Sequence, residues 1–166
     1  THEIATVGGR TGDFIKTTAK GIEMAVDEYM GLPNSIKVAG REILRTPMHW
    51  NILRYIDNDR LLLKNWDHVY RLPKCRSEIF SFEQTETGYK AEGVLVAKIR
   101  VPVLHFTVSC QVSGAMLELE ISYKIADHVK NLPRFGVEFG VDKNKDVFSF
   151  VFPPQIARLE DLPENT

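Results

Sequence analysis

The chain has 166 residues, 43% of them hydrophobic and 26% charged, with a formal net charge of −1. This length suffices for one domain with a core, and the near-zero charge argues against a nucleic-acid partner, which needs a clustered basic face. The longest apolar runs are too short to span a bilayer, so no membrane partner is expected. The two cysteines, Cys75 and Cys110, cannot form a cysteine-based zinc site and favour a reducing compartment. A cytoplasmic location is therefore expected, with a periplasmic or secreted one as the alternative.

Alternation of apolar and polar residues predicts strands along most of the chain. Near the start, "GIEMAV" and "NSIKVAG" are separated by "DEYMGLP", which predicts a hairpin. The stretch "SEIFSFEQTETGYKAEGVLVA" predicts a second strand pair that turns near Thr87 and Gly88. Between the two pairs, "DNDRLLLKNW" carries the best helix signal, because Asp or Asn is a good N-cap for one or two turns.

The second half of the chain continues the two-residue period. The runs "VLVAKIRV", "LHFTVSCQV", "LELEISYKI" and "FGVEFGV" each place apolar residues on one face. The apolar phase shifts by one residue at Pro102 and Val103, which predicts a bulge or an edge break there. The pattern predicts an all-β antiparallel sandwich with at most one or two short helical turns, near residues 58–66. Residues 1–166 are expected to form a single domain.

Motifs for covalent or metal chemistry are not found in the sequence. There is no Gly-x-Ser-x-Gly elbow, and "TVGGRTG" lacks the lysine of a phosphate-binding loop. "DKNKD" at 142–146 begins like a calcium loop, but Val147 and Pro153 stand where that loop needs Gly and Glu. We therefore expect no catalytic residue, no metal site and no cofactor in this chain.

The stretch "PMHWNILRYIDNDRLLLKNW" interrupts the alternation. Its structural interpretation is a short helix capped by Asp57 or Asp59, with Trp50 packed in the core. Its functional interpretation is sugar recognition, because apolar ring faces of sugars stack on tryptophan and carboxylates or amides bind their hydroxyls. The two are compatible. We expect residues 50–59 to form an accessible loop, since Pro47 disfavours a continuous strand.

Two segments resemble bacterial β-galactosidases of glycoside hydrolase family 2. "GREILRTPMHWNILRYIDNDR" resembles that family's "G-x-x-L" segment followed by "P-x-x-x-N-x-W-R-A-P-x-D-N-D", and "LPRFGVEFGV" resembles its "(V/L)PR-(I/V)G" strand. The matching residues are Gly40, Leu44, Pro47, Asn51, Arg54, Asp57, Asn58 and Asp59 in the first segment and Leu132, Pro133, Arg134 and Gly136 in the second. Leu53-Arg54-Tyr55-Ile56 stands where the family has Trp-Arg-Ala-Pro.

The resembling region is the C-terminal small-chain domain, or domain five, an antiparallel supersandwich similar to galactose mutarotase. The resemblance implies a fragment of a larger, multidomain β-galactosidase, which hydrolyses terminal β-D-galactosides with retention through two glutamates on a separate TIM barrel. This fragment lacks those glutamates and is expected to be inactive alone. It would share the galactoside with the catalytic barrel, and the parent protein is expected to be a homo-oligomer.

The resemblance also implies roles for individual residues. Those implied for a carbohydrate-binding loop at the active-site mouth are Trp50, Asn51, Arg54, Asp57, Asn58 and Asp59. Arg134 is expected to be structural, partly buried and paired, with the acidic triplet as a candidate partner. The alternatives are a stand-alone carbohydrate-binding or mutarotase-like module, which needs an exposed Trp or Tyr beside free acids, and a scaffold domain.

Overall fold

The computed structural model describes residues 14–19, 21–53, 62, 64–98, 101–114 and 116–141. These residues form ten strands, as the alternating sequence predicts. In chain order the strands are β1 (Phe14–Ala19), β2 (Ile22–Asp27), β3 (Pro33–Val38), β4 (Arg41–Glu42), β5 (Leu44–Asn51), β6 (Arg76–Gln84), β7 (Gly88–Lys98), β8 (Val101–Ser113), β9 (Met116–Ile125) and β10 (Gly136–Val141).

The strands pair into three sheets, and every pairing among the described residues is antiparallel. The first sheet has the order β1-β2-β3-β4, and the second sheet has the order β6-β7-β8-β9. Strands β5 and β10 form a separate two-stranded ribbon. Buried side chains from both sheets and from the ribbon belong to one hydrophobic core. The domain is therefore an all-β, sandwich-like antiparallel fold, which confirms the predicted fold class.

Both predicted hairpins are confirmed. Strand β2 pairs with β3, and β6 pairs with β7. The turn of the second hairpin occupies residues 85–87, beside the predicted position. The predicted bulge is also confirmed: Leu95 lies opposite Leu104 whereas Val96 lies opposite Pro102, so Val103 is an extra residue on β8.

Helical structure in the described part of the chain is short: Leu62 and Lys64 are α-helical, and two short turns follow. A π-helical turn spans Asn65–Val69 and a 3-10 turn spans Leu72–Lys74. The first turn overlaps the end of the predicted region, whereas the second lies beyond it. Lys64, which precedes the first turn, makes no side-chain capping hydrogen bond. No helix among the described residues is long and apolar enough to cross a membrane.

Burial holds the two turns against the domain. Trp66 and Leu72 are 4% and 1% exposed, and the Trp66 indole N–H donates to the Asn131 side-chain oxygen at 3.3 Å. The Lys130 backbone N–H donates to the Tyr70 hydroxyl oxygen at 3.3 Å. These bonds fasten the turns to the connection between β9 and β10, which leads directly to the ribbon.

Strand β5 runs through Pro47, so the prediction that this proline interrupts the strand is wrong. Between the pairs His49–Glu138 and Thr46–Gly140, β5 has one residue more than β10, and this bulge contains Pro47. At a bulge one residue stands outside the hydrogen-bond ladder, so the missing N–H of proline is tolerated.

The core lies against the inner face of the second sheet. On β8 the even-numbered residues from 104 to 112 are buried, whereas the odd-numbered residues between them are more exposed. On the neighbouring β7, residues 89, 91, 93 and 95 are buried. This two-residue period is the one that the sequence predicts for strands with one wet face.

The β2–β3 turn ties the first sheet to the second. The buried Asp27 carboxylate accepts hydrogen bonds from the backbone N–H groups of Tyr29 at 2.8 Å and Met30 at 3.2 Å, which fixes the turn. The hydroxyl of Tyr89, on β7, donates to the Gly31 carbonyl oxygen at 3.1 Å. A hydroxyl buried in a sheet needs such a partner, so this bond both satisfies Tyr89 and locks the turn onto the second sheet.

Candidate functional site

The predicted site begins at the end of the ribbon. Trp50 and Asn51 are the last residues of β5, and Asn51 lies opposite Gly136, the first residue of β10. The prediction of a loop over residues 50–59 is therefore wrong for its first two residues, which are strand. The other predicted site residues, and the helix cap assigned to them, lie outside the described part of the chain: Arg54, Asp57, Asn58 and Asp59.

Trp50 packs inward, as predicted. Its indole N–H donates to the Met30 carbonyl oxygen at 3.0 Å. Its ring centroid lies 4.5 Å from that of Phe106 and 5.1 Å from that of Phe135, and the Phe135 ring is nearly parallel, at 14°. Aromatic pairs at these separations add to the stabilisation from burial. Trp50 thus anchors the end of β5 to the core.

The aromatic contacts continue from the core to the surface. Phe106 is 2% exposed, whereas Tyr123 on β9 is 54% exposed. The Tyr123 ring centroid lies 4.6 Å from that of Phe135, which in turn stacks on Trp50. Ile125, two residues further along β9, is 37% exposed. The apolar face of β9 is therefore covered only in part at the end near the ribbon.

A polar cluster lies at the same end of the ribbon. The Asn51 side-chain NH₂ donates to a Glu138 carboxylate oxygen at 2.5 Å. The Asn51 side-chain oxygen accepts from the Leu53 backbone N–H at 3.2 Å. The same Glu138 oxygen lies 3.9 Å from Nε2 of His49, its partner in the strand register. These side chains connect β10 to the residues that follow β5.

An open depression of about 400 Å³ adjoins this cluster, lined by Asn51 and residues 134–138. Arg134 is exposed, so the expectation of partial burial is wrong. Adjacent residues of an extended chain point to opposite sides, and Phe135 takes the inward side by stacking on Trp50. Among the described residues none accepts a hydrogen bond from Arg134, and the acidic triplet expected to pair with it lies outside them.

The depression is lined by a planar cation, Arg134, and a carboxylate, Glu138. An exposed aromatic ring, Tyr123, contacts Phe135, another lining residue. The guanidinium of Arg134 and the carboxylate of Glu138 supply directional donors and acceptors, and Tyr123 supplies an apolar face. These are the groups that hold hydroxyl-rich ligands such as sugars. No group of three or more His, Cys, Asp or Glu residues able to hold a metal occurs in the described part.

The two cysteines are not suited to act as nucleophiles, because burial favours the protonated form of each thiol. Burial raises the pKa of the Cys75 thiol to about 11 and that of the Cys110 thiol to about 12. A backbone hydrogen bond with Arg76 lowers the pKa of Cys75 but does not offset its burial. Both thiols are therefore protonated near neutral pH, and the thiolate is the reactive form.

Sequence reasoning does not single out Glu138, Phe135 or Tyr123 for the site. Alternation identifies Glu138 as a residue on a polar strand face and the two aromatic residues as members of apolar faces. Only the register of β10 on β5 places Glu138 beside Asn51, and the hydrogen bond joins residues 87 positions apart. The one signal in the sequence is the proximity of Glu138 to the "LPRFG" motif.

The fold and this site define an antiparallel β-sandwich domain that presents aromatic and charged residues at one end of a ribbon. Residues 18–151 match the family model of the beta galactosidase small chain. The chain belongs to the beta-galactosidase small-chain family, as its motifs indicated. It is similar to a beta-galactosidase of Actinobacillus pleuropneumoniae, 25% identical over 130 residues that cover 75% of this chain and 13% of that protein. The chain thus spans a small part of the length of this relative.

Proposed function

We propose that this chain is the non-catalytic small-chain domain of a larger β-galactosidase that hydrolyses terminal β-D-galactosides. The family match over residues 18–151 is the observation that carries the proposal. The similarity to a beta-galactosidase of which the aligned segment is only 13% supports a domain within a longer protein. The two glutamates of a retaining glycosidase would lie on a separate catalytic barrel of that protein.

In this proposal the segment after β5 borders the galactoside site on the barrel. The anchoring of Trp50 supports this role, because its indole hydrogen bond and its two ring contacts fix the strand end from which that segment starts. Functional loops are commonly carried by a rigid sheet, since the sheet supplies the positional precision that the loop lacks. Arg54 and the triplet of Asp57, Asn58 and Asp59 would supply the polar contacts.

The sandwich would also pack on the catalytic barrel through its partly covered end. Tyr123 and Ile125, at this end of β9, are 54% and 37% exposed, respectively. Exposed apolar groups gathered at one end of a domain favour a contact with another domain. The galactoside and the barrel are the partners that we propose for this chain.

The proposal is tested by assaying hydrolysis of nitrophenyl β-galactoside by the full-length protein and by residues 1–166 alone, at equal molarity. A far-ultraviolet circular dichroism spectrum rich in β structure establishes that the isolated chain is folded. We expect turnover by the full-length protein and none by the chain alone, because retaining hydrolysis needs two carboxylates about 5–5.5 Å apart. Activity of the isolated chain that disappears when one of its carboxylates is substituted would refute the proposal, as would a full-length protein inactive on β-galactosides.

A further inference from the structure

Strand β9 presents an open edge of the second sheet. Among the strands that the structure describes, β8 is its one neighbour, because the order of the sheet ends at β9. All ten residues of β9 pair with β8 in a continuous register without a bulge. The strand at the opposite edge, β6, is instead interrupted by a bulge at Phe80. A long, regular edge without a bulge, a proline or an inward-pointing charge is a template for pairing with a further strand.

The backbone groups that face this edge can be assigned from the ladder. The Ala126 N–H, just past the end of β9, donates to the Val103 carbonyl oxygen on β8 at 2.9 Å. In an antiparallel pair, successive residues direct their N–H and C=O groups alternately to the two sides of the strand. Even-numbered residues of β9 therefore bond to β8, and the odd-numbered residues from Leu117 to Ile125 direct theirs to the open edge.

The apolar side chains along this edge are covered only in part. Leu117, Leu119 and Ile121 are half-buried, and Tyr123 and Ile125 are exposed. The even-numbered residues of β8 that lie opposite them, from 104 to 112, are all buried. Burial therefore falls from β8 to β9, and a further strand would cover the flank of the apolar row.

The apolar row is complementary to a second copy of itself. When two β9 strands pair antiparallel with Ile121 at the centre, Leu119 of each copy lies opposite Tyr123 of the other, and Leu117 lies opposite Ile125. Every outward-directed backbone group from Leu117 to Ile125 then meets a partner, since these are the hydrogen-bonded pairs of the new ladder. Apolar side chains directly opposite each other also pack, which stabilises the sheet.

The charges on the exposed face of β9 agree with the same register. It places Glu118 of each copy opposite Lys124 of the other, and Glu120 opposite Ser122. Among the described residues neither Glu118 nor Lys124 forms an ion pair. Opposite charges directly across a strand pair stabilise it, whereas like charges destabilise it. A pairing centred on Glu120 would instead bring two carboxylates together.

We propose that β9 is an interface between two copies of this protein, which join edge to edge across a two-fold axis into one continuous antiparallel sheet. Such an interface is isologous, because the same surface of both copies takes part. The pairing uses the backbone edge of β9, whereas the contact proposed with the catalytic barrel uses the exposed faces of Tyr123 and Ile125. The inference therefore does not depend on β-galactosidase activity.

Reversal of the two charges isolates this interface. Glu118→Lys brings two lysines together at each end of the paired strands, and Lys124→Glu brings two glutamates together. The double variant Glu118→Lys/Lys124→Glu restores both attractive pairs. Within one copy the two residues are six positions apart on an extended strand, a separation of about 20 Å, so they cannot pair with each other. An equimolar mixture of the two single variants also restores both pairs, because each lysine then faces a glutamate of the other variant.

The test measures the number of protomers per particle by sedimentation velocity at low ionic strength, where surface charges are least screened. The samples are the full-length wild type, both single variants, the double variant and the mixture. We expect each single variant to raise the dissociation constant of the dimer about tenfold or more, and the double variant and the mixture to regain the wild-type value. Glu86→Lys, exposed in the β6–β7 turn, is the matched control and should sediment as the wild type.

Each outcome supports or overturns the interface. Wild type and single variants that sediment alike would show that β9 does not join two copies, whether another part of the longer chain covers the edge or nothing does. Dissociation of the single variants without recovery in the double variant or the mixture would also overturn it, because the charges would then act within one copy. Failure of the proposed function is separate, since it appears as a lack of β-galactosidase activity in the wild type.

Discussion

Gly31 lies in the β2–β3 turn, against Ile79 and Ala91 of the second sheet. Its φ is +66°, a left-handed backbone that side chains disfavour. A Cβ atom at this position would lie 3.0 Å from Cδ1 of Ile79 and 3.1 Å from Cβ of Ala91. The turn therefore needs glycine for two separate reasons, its backbone conformation and its proximity to the second sheet.

The two reasons can be separated with Gly40, which has a φ of +76° but no atom within 4 Å of the place that a Cβ would occupy. We expect Gly40→Ala to lower the free energy of unfolding by about 1–2 kcal/mol through backbone strain. Gly31→Ala should lower it by about 2–4 kcal/mol, because overpacking adds to that strain. Urea denaturation measures both changes, and equal destabilisation of the two variants would show that the turn is not closely packed on the second sheet.

The position of an individual residue can be predicted where local sequence determines it. Trp50 packs inward as predicted, because in the two-residue period of a strand it shares a face with Met48, which is buried. Arg134 is exposed, against the prediction of partial burial. Its neighbour Phe135 takes the inward position through a contact with Trp50, and Trp50 is too distant in sequence for local patterns to show this.

Strand β8 is an inner strand of the second sheet. It lies between β7 and β9, and its even-numbered residues from 104 to 112 are buried. Cys110 is fully buried on this strand, and its sulfur lies 3.6 Å from that of Met24 in the first sheet. Burial in such a place penalises the thiolate, so protonation of Cys110 is coupled to folding.

This coupling predicts loss of stability at high pH. Burial raises the pKa of Cys110 from its ordinary value of 9.0 to about 12. Above pH 9 the unfolded chain releases the thiol proton while the folded chain retains it, so stability is full below pH 9 and falls as pH rises towards 12. One such group changes the free energy of unfolding by up to about 1.4 kcal/mol per pH unit.

Urea denaturation at pH 8, 9.5 and 10.5 measures this slope. Burial also raises the pKa of Cys75 and Tyr89, which steepens the slope in the same direction. We expect Cys110→Ala to have a shallower slope than the wild type and Ser113→Ala, an exposed position on the same strand, to leave the slope unchanged. Identical slopes for Cys110→Ala and the wild type would contradict the burial of the thiol.

Elements that are neighbours in sequence can be predicted from local patterns. Alternation with intervening turn residues specifies the β2–β3 and β6–β7 hairpins, and both form as predicted. The ribbon of β5 and β10 cannot be predicted in this way, because its register depends on packing between strands far apart in the chain. The same tertiary context keeps Pro47 inside a strand, since the bulge that accommodates it needs β10 as a partner.

In the whole molecule, the two family motifs and the candidate site lie at the same end of the sandwich. The motif residues Asn51 and Arg134 lie beside one depression, although they are far apart in the chain. The sequence motifs are sufficient to predict the family, and the structure shows what joins the two motifs physically. The ribbon does so, with Trp50 and Phe135 packed beneath it and the hydrogen bond between the Asn51 and Glu138 side chains across it.

The most direct test of the proposed role of this domain is the KM of the full-length protein for nitrophenyl β-galactoside when Asp57 is replaced by Ala. We expect KM to rise about tenfold, the effect of one hydrogen bond to a charged group, with the melting temperature nearly unchanged. Glu118→Ala, on the exposed polar face of β9, is the control and should leave KM unchanged. A wild-type KM in the Asp57→Ala protein would contradict the claim that this domain contributes to the galactoside site.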